Sequence, residues 1–228
     1  MLLEMMKILN KIFAHNWLAT IYLNFKMLPF RQAYKLPLDC YNNIRFSNLS
    51  GKIIIDSDNI YRGMIKIGSQ GSDMFPLRRS VLSIQGTVIF HGKCALGCSS
   101  ILIVKNRAMV EFGQNVTLGA NTLILSEKRI KFDDDVLASW NCQYLDSDTH
   151  HIFDERLNKE LLMSKEIVIG QHCWIGNHVK INKGTIIPDN TIIASNSLAN
   201  KDFSNIDSFS VLAGIPVKVV RNNIKWKE

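Results

Sequence analysis

The sequence predicts an all-β solenoid, because its apolar residues recur every sixth position instead of at the helical or strand period. Between residues 167 and 198, five isoleucines hold this phase, and a small or β-branched residue follows each of them by four positions. The five are Ile169, Ile175, Ile181, Ile187 and Ile193. Such a repeat buries its apolar side chain only by stacking on neighbouring repeats. Three six-residue steps would make one triangular coil.

Earlier parts of the chain keep the six-residue step, with changes of phase that indicate loops bulging from a coil. Residues 50–71 alternate apolar and polar positions and read as the first, irregular coils, whereas Ser72–Ser80 breaks the pattern and predicts a loop. The positions in clearest register are Phe90, Leu96, Leu102, Phe112, Leu118, Ile124, Phe132, Ala138 and Tyr144. We therefore expect the solenoid domain to cover residues 49–217.

Residues 1–48 are expected to form an N-terminal helical segment, since apolar residues recur there at three- and four-residue spacing. Two roles remain open for it: a cap that covers the end of the solenoid, or an interfacial helix that approaches anionic lipid. Its longest apolar run is interrupted by Asn24 and Lys26 and is too short to span a bilayer. It lacks a cleavage site. A cytoplasmic location is expected, free or at the inner face of the membrane.

Composition narrows the classes of partner. The chain has 228 residues, is 46% hydrophobic and carries a net charge of +7, which suits a soluble protein that binds an anionic ligand. No run of Lys and Arg is interleaved with aromatic residues, which argues against nucleic acid. The five cysteines are odd in number and lack zinc spacing, so we expect reduced structural thiols, with Cys142 and Cys173 facing inward.

The repeat stops between Tyr144 and Glu166, where the sequence is polar, charged and without period. Because well-registered coils flank it, this insertion (residues 145–166) must leave the solenoid wall and return. Loops on a rigid scaffold are where binding and catalysis concentrate. After the last coil, residues 218–228 form a short basic tail. The insertion is therefore the first place to look for chemistry.

Three sequence pieces resemble the hexapeptide-repeat acyltransferases: DSDTHHIFD, IVIGQHCWIGNHVKINKGTII and AGIPVKVVR. With the coils before them they cover roughly residues 112–221, in the order that the family shows. ASWNCQYLDSDTH is most similar to the sugar and polysaccharide O-acetyltransferase branch. The resemblance implies a left-handed parallel β-helix, acetyl-CoA as co-substrate and a homotrimer with active sites between neighbouring subunits. It also implies a role in polysaccharide biosynthesis, with a glycan or lipid-linked sugar as acceptor.

Acyl transfer to a hydroxyl needs a base for the hydroxyl proton and donors for the oxyanion of the intermediate. The resemblance places His150 at the catalytic base, and His151 beside it is the alternative. Asp146 and Asp148 are candidates to orient the imidazole, or else turn residues that bond the backbone. His172 and His178 occupy one position of successive repeats and are expected at the surface.

The resemblance further implies two sets of binding residues. The cofactor set is Trp174, Asn177, Ser195, Asn200, Lys201, Lys218 and Arg221. The acceptor set is Asn121, Glu127, Trp140 and His151. In the first set, the cations suit the coenzyme A phosphates.

Other functions remain open at this stage. The acceptor could be an amine of a nucleotide sugar or a serine hydroxyl. A metal hydratase that resembles the γ-class carbonic anhydrases would need three histidines to converge on zinc, and the closing AGIP segment argues for coenzyme A instead. An inert scaffold is disfavoured by the irregular loop with two histidines. We expect no metal.

Overall fold

The computed structural model describes residues 15–69 and 79–227. Within them, the chain winds through three sheets of parallel strands in turn, with the apolar side chains of all three facing one interior. The predicted all-β solenoid is therefore confirmed. We call the sheets I, II and III in the order in which the chain visits them.

Each of the first six coils contributes one strand to each sheet. Sheet I contains β1 (Leu38–Cys40), β4 (Ile65–Ser69), β7 (Cys94–Gly97), β10 (Val116–Leu118), β13 (Leu137–Ala138), β18 (Trp174–Ile175), β21 (Ile192–Ile193), β23 (Val211–Gly214) and β24 (Val217–Arg221). Sheet II contains β2 (Ile44–Leu49), β5 (Ser80–Ile84), β8 (Ile101–Val104), β11 (Leu123–Ser126), β14 (Gln143–Leu145), β19 (Lys180–Asn182) and β22 (Leu198–Ala199). Sheet III contains β3 (Lys52–Ile55), β6 (Thr87–Phe90), β9 (Met109–Phe112), β12 (Arg129–Phe132), β17 (Ile167–Ile169) and β20 (Ile186–Ile187). A separate antiparallel hairpin pairs β15 (Phe153–Asp154) with β16 (Lys159–Glu160).

The register between strands confirms that three six-residue steps make one coil. Ile169 pairs with Ile187, eighteen residues later, and Phe132 pairs with Ile169 across the insertion. All five isoleucines of the repeat are at most 1% exposed. The six-residue period thus places one isoleucine on each sheet in turn, and each stacks on its equivalent in the next coil.

A column of aromatic rings runs through the interior of sheet III. The rings of Phe90 and Phe112 stack with centroids 5.1 Å apart, and those of Phe112 and Phe132 with centroids 5.3 Å apart. Tyr144 from sheet II closes the column edge-on at 4.9 Å from Phe132. Offset stacking of this kind adds to the stabilisation that burial gives.

The glycines that follow the first two isoleucines of the repeat lie where adjacent coils nearly touch. A Cβ atom at Gly170 would lie 2.6 Å from the Asp189 backbone nitrogen, and one at Gly176 would lie 2.6 Å from that of Ser195. Such distances are shorter than any tolerated contact, so the residue type is fixed by coil stacking and not by turn conformation.

The solenoid begins earlier than the sequence predicts. Two helices, α1 (Trp17–Met27) and α2 (Phe30–Ala33), precede β1 and β2, and both of these strands belong to the solenoid sheets. The chain thus contributes two strands to the solenoid sheets before residue 49, where the sequence places the boundary, and these strands lack the apolar-glycine step that marks the later coils. The helical expectation for residues 1–14 and most of the loop expected at Ser72–Ser80 lie outside the described residues.

The segment that was expected to be a C-terminal tail begins within a β-strand. The strand β24 runs antiparallel to β23 and pairs Val217 with Gly214, so the basic segment predicted from residue 218 begins inside a hairpin. The expectation for the cysteines is confirmed: all five are free and buried. Burial raises the pKa of Cys40 and of Cys173 to about 12 and that of Cys142 to about 11.

Candidate active site

Most of the predicted site residues lie at two of the three corners of the solenoid, and the others lie on sheet I. The first corner joins sheets I and II, the second joins sheets II and III, and the third joins sheets III and I. The insertion after β14 leaves the wall at the second corner and returns at β17. His150, His151, Asp146, Asp148 and Glu127 all belong to this second corner.

Asp146 fixes the start of the insertion to the preceding coil. Its side chain is fully buried, and its carboxylate accepts hydrogen bonds from the Ser126 hydroxyl at 2.7 Å, the Glu127 amide at 2.7 Å and the Lys128 amide at 3.0 Å. This carboxylate is thus occupied by a turn and does not orient the imidazole of His150. The catalytic role predicted for Asp146 is replaced by a structural one, in which it caps a turn of the neighbouring coil.

A short hydrogen-bonded series supports the turn that presents His150. The Ser147 hydroxyl donates to the Glu127 carboxylate at 2.6 Å and accepts from the Thr149 amide at 3.0 Å. Thr149 has a φ of 60°, a conformation that is rare for a β-branched residue and recurs at functional sites. Glu127, predicted to contact acceptor, therefore holds the histidine turn in this chain.

The ring of His150 is held through Nδ1 and is otherwise exposed. Its Nδ1 lies 3.3 Å from the Asp148 main-chain carbonyl oxygen and 3.1 Å from the Thr149 hydroxyl. In the tautomer that carries its hydrogen on Nδ1, the ring can donate to the Asp148 carbonyl oxygen, which only accepts. The Nε2 atom then carries the free lone pair. Asp148 thus contacts the imidazole through its backbone, and its carboxylate, which the sequence left open as a partner of the imidazole, bonds Lys183.

The second histidine of the pair is engaged elsewhere. His151 Nδ1 bonds to the Glu160 carboxylate across the hairpin of β15 and β16, and both side chains are exposed. The two histidines that the sequence left as alternatives therefore differ in the partner of Nδ1, which is a main-chain carbonyl oxygen for His150 and a carboxylate for His151.

Lys183 was not predicted from the sequence and clamps both sides of the insertion. Its Nζ donates to the Asp148 carboxylate and, at 2.7 Å, to the carbonyl oxygen of Leu162. Asp148 also donates its amide to Met163 at 3.0 Å. One lysine of the next coil thus joins the outgoing and returning strands of the loop. The only sequence signal was a lysine before the turn glycine, Gly184.

Two predicted cofactor residues meet at the first corner. The Ser195 hydroxyl donates to the Asn177 side-chain oxygen, and the two residues lie in successive coils. Asn121 and Trp140, predicted acceptor residues, are at this same corner and not beside His150. Two of the four acceptor candidates therefore lie with cofactor candidates at the first corner. The other two, Glu127 and His151, lie at the second corner.

Trp174 lies on sheet I with its side chain 38% exposed. The ring of Trp226, which sequence reasoning missed, is 6.4 Å from that of Trp174 and stacks on His172 with centroids 4.4 Å apart. Its Nε1 donates to the His172 carbonyl oxygen at 3.0 Å. A lone tryptophan in a basic tail was the only signal for this contact.

The remaining cofactor candidates are divided between two regions. Asn200 and Lys201 follow β22 and reach the second corner, above the insertion. Lys218 and Arg221 lie on β24, at the edge of sheet I. Lys225, which the sequence left as a solvated charge, lines a cavity of about 450 Å³ with His172, Asn190, Phe209, Trp226 and Lys227. One chain therefore carries cations on two sides of the solenoid.

The three histidines considered for a metal site point away from one another. His150 is at the second corner, His172 at the third and His178 at the first. His172 and His178 both occupy left-handed corner positions, with φ of 53° and 58°. Among residues 15–69 and 79–227, no group of three His, Cys, Asp or Glu side chains converges. This arrangement gives no support to the hydratase alternative within one chain.

Comparison with solved structures identifies the fold. No protein-family model matches the chain, and no curated protein matches its sequence. The structure of the polySia-specific acetyltransferase NeuO is 22% identical, with a TM-score of 0.63 over 84% of this chain and 76% of NeuO. The chain has the left-handed β-helix fold of the hexapeptide-repeat acetyltransferases.

Two further acetyltransferases of this fold superpose more loosely. A galactoside acetyltransferase in complex with coenzyme A is 19% identical over 92% of this chain and 86% of its own, with a TM-score of 0.43. The polysialic acid O-acetyltransferase OatWY is 20% identical over 84% of this chain and 90% of its own, also with a TM-score of 0.43. The hexapeptide-repeat assignment rests on the closer superposition with NeuO.

Proposed function

We propose that this chain is an O-acetyltransferase that moves the acetyl group of acetyl-CoA to a sugar hydroxyl of a polysaccharide or its precursor. The observation that supports it best is the position of His150 on a hydrogen-bonded turn of a loop in a hexapeptide-repeat fold, where its Nδ1 lies 3.3 Å from a main-chain carbonyl oxygen and Nε2 can act as the base. The similarity to NeuO, which is named as polySia-specific, favours a glycan acceptor.

The proposed reaction uses His150 as a proton carrier. Nε2 takes the proton of the sugar hydroxyl while the oxygen forms a bond to the acetyl carbonyl carbon. The C–S bond of the thioester then breaks, and Nε2 returns the proton to the departing thiolate. The proposed donor to the oxyanion is the backbone N–H of Asn177.

The proposed acetyl-CoA site is made by residues that the sequence singled out. Trp174, Asn177 and Ser195 would contact the pantetheine, and Lys218 and Arg221 the phosphates, where cations are favoured. Asn200 and Lys201 complete the set.

We further propose that each active site lies between two subunits of a homotrimer. His150 is on the second corner of a chain, whereas Trp174 is on sheet I and Asn177 on the first corner. Residues on different sides of one solenoid can share a site only if a neighbouring solenoid brings them together. Closed threefold symmetry provides that arrangement three times.

The acceptor is tested by incubating the purified protein with acetyl-CoA and a panel of acceptors. The panel contains an acidic polysaccharide, a neutral oligosaccharide, an amino nucleotide sugar and free serine. Coenzyme A release is followed with a thiol reagent, against which the buried, high-pKa protein thiols give little background. We expect release with a glycan and a product acetyl group that hydroxylamine removes, as it does an ester. A hydroxylamine-stable acetyl group on an amine would contradict O-acetylation.

Shared sites predict complementation between inactive subunits. His150→Ala and Trp174→Ala chains, each inactive alone, should regain activity when co-expressed in equal amounts. If every site takes its histidine from one chain and its tryptophan from the neighbour, about one quarter of sites carry both. Recovery close to that fraction supports the shared site. Absence of recovery in mixed trimers, verified by mass spectrometry of differently tagged chains, contradicts it.

Replacing Lys183 with methionine is expected to lower kcat about tenfold with little change in KM. The methionine keeps the volume of the side chain but releases Asp148 and the Leu162 carbonyl, so the loop no longer holds His150 in one place. Amide hydrogen exchange should accelerate within residues 146–166 and not in the coils.

The matched control for this variant is Lys52→Met, which changes an exposed lysine on sheet III and should leave kcat unchanged. Unaltered turnover in Lys183→Met, with unaltered exchange in the loop, would show that the clamp does not position His150.

A further inference from the structure

The helix α1 is apolar on its exposed side and mixed on its buried side, where Ala19 and Leu23 lie beside Thr20 and Asn24. Its buried side carries two polar side chains, and these satisfy the free edge of the first solenoid strand. The Asn24 side chain donates to the Leu38 carbonyl oxygen at 2.7 Å and accepts from the Leu38 amide at 3.1 Å, and the Thr20 hydroxyl accepts from the Cys40 amide at 2.9 Å. An open strand edge that is covered in this way no longer invites pairing with another chain.

The outward side of α1 is consequently apolar. Leu18, Ile21, Tyr22 and Phe25 recur at the spacing of one helix face, which in a soluble helix normally packs on the core. Here they are exposed, with Leu18 at 84%. We call this surface the α1 face, and we include in it Phe30, which begins α2, and Tyr34, which follows α2. Phe30 is 73% exposed, and its ring lies 6.1 Å from that of Phe25, so the two helices form one patch.

Charge identifies the kind of partner that suits the α1 face. Lys26, Arg31 and Lys35 lie among the apolar residues, and no aspartate or glutamate occurs between residues 15 and 38. Arg62 adds a guanidinium 4.6 Å from the Trp17 ring. An apolar helix face rich in tyrosine, tryptophan and phenylalanine and edged only by cations has the composition of a helix that lies in the interface of an anionic bilayer.

Only one side of α1 is open to a partner. The helix has eleven residues, and within the described part of the chain no helix is long and apolar enough to cross a membrane. Its inward face is fixed to β1, so it cannot turn its polar side chains to the lipid without breaking the bonds of Asn24 and Thr20. Only the outward face is available.

We propose that the α1 face binds the surface of an anionic lipid bilayer and attaches the solenoid to it by its N-terminal end. The apolar side chains enter the headgroup region, while the three cations contact anionic headgroups. This contact is independent of the proposed acetyl transfer, because the α1 face contains none of the residues proposed to bind substrate or cofactor. Under this proposal the N-terminal segment has both of the roles left open for it: one side of α1 caps the solenoid and the other side contacts lipid.

The test is vesicle co-sedimentation of the full-length protein without acetyl-CoA or glycan. One set of vesicles contains phosphatidylcholine alone and the other contains about 30% phosphatidylglycerol. We expect binding to the anionic vesicles that weakens at least tenfold in Leu18→Ser/Phe30→Ser. In Lys26→Gln/Arg31→Gln/Lys35→Gln, binding should weaken roughly 100-fold, at roughly fivefold per cation.

The matched control removes the same charge from another part of the surface, in Lys52→Gln/Lys93→Gln/Lys105→Gln. This variant should bind as the native protein does, with a loss under about threefold. Equal losses in the two triple variants would mean that net charge alone drives binding, and would overturn the proposal. So would full binding by Leu18→Ser/Phe30→Ser, which places the contact elsewhere in the chain.

A measurement of oligomeric state distinguishes a lipid bilayer from a second protein chain as the partner of the α1 face. Sedimentation velocity of Leu18→Ser/Phe30→Ser should give the same oligomer as the native protein, because the changed side chains are exposed and cover no subunit. A smaller oligomer for this variant would show that the α1 face is a contact between copies of the chain, and the lipid proposal would fail.

Discussion

Replacing His150 with alanine is expected to lower kcat for acetyl transfer by about 10²–10⁴-fold, the usual contribution of a positioned general base. The alanine removes Nε2, the atom that takes the hydroxyl proton, and leaves the loop bonds of Asp146 and Lys183 intact. The KM for acetyl-CoA should change little, because the ring is proposed to act on the proton and not to hold the cofactor. Initial rates of thiol release, at saturating acceptor, measure both constants.

The control is the neighbouring histidine. His151→Ala removes an imidazole whose Nδ1 is bonded to Glu160, so its kcat should stay within about threefold, as expected for an exposed ion pair. Both variants should unfold at the native temperature, since both side chains are exposed. Full turnover in His150→Ala, or equal losses in the two variants, would refute the assignment of the base.

The catalytic base could be predicted from the sequence only as one of two adjacent histidines. The resemblance selected His150, but the two histidines are adjacent and have the same chemistry. What separates them is the partner of each Nδ1, a main-chain carbonyl for His150 and an exposed carboxylate for His151. That difference depends on the left-handed conformation of Thr149 and on the hairpin that carries Glu160. Neither feature has a period that the sequence could reveal.

The coils themselves were predictable because one interaction repeats. Every coil must stack an apolar side chain on its equivalent in the next coil. The isoleucines up to Ile193 therefore recur every sixth residue, and this period is visible in the sequence. The first two strands were missed because no apolar-glycine step marks them in the sequence. The sequence left the role of α1 open, because apolar residues of this helix face outward while Asn24 and Thr20 bond to the open backbone groups of the first strand.

Partners between coils were the least predictable feature, because their separation along the chain varies with the length of each turn. Asp189 accepts from the Gln171 amide eighteen residues earlier, whereas Asp134 accepts from the Gln114 amide twenty residues earlier. Asp146 makes the same kind of bond to Glu127 across nineteen residues. An aspartate at a corner can therefore be recognised as a cap only when the turn it faces is known.

Asp146→Ala is accordingly expected to destabilise the fold by about 2–4 kcal/mol, because each buried donor left without a partner costs about 1–3 kcal/mol and a partly buried one costs less. The part-buried amides of Glu127 and Lys128 lose their acceptor in this variant, and the Ser126 hydroxyl keeps only the Met109 carbonyl oxygen at 3.3 Å. The midpoint of thermal unfolding, followed by circular dichroism, should fall by roughly 10 °C for a chain of this size. Activity at low temperature should survive in the folded fraction, because the carboxylate does not contact the imidazole.

Asp189→Ala is the matched control, since it removes a corner aspartate that accepts a single backbone hydrogen bond, at 2.7 Å, and is exposed. Its loss should be about 1 kcal/mol, because water replaces the lost acceptor. The comparison also decides between the two roles of Asp146. A variant that unfolds early but retains kcat at low temperature identifies a cap. An Asp146→Ala protein with the native unfolding midpoint and a kcat as low as that of His150→Ala would instead restore the catalytic role that the sequence predicted, and would require the carboxylate to turn toward the imidazole when substrate binds.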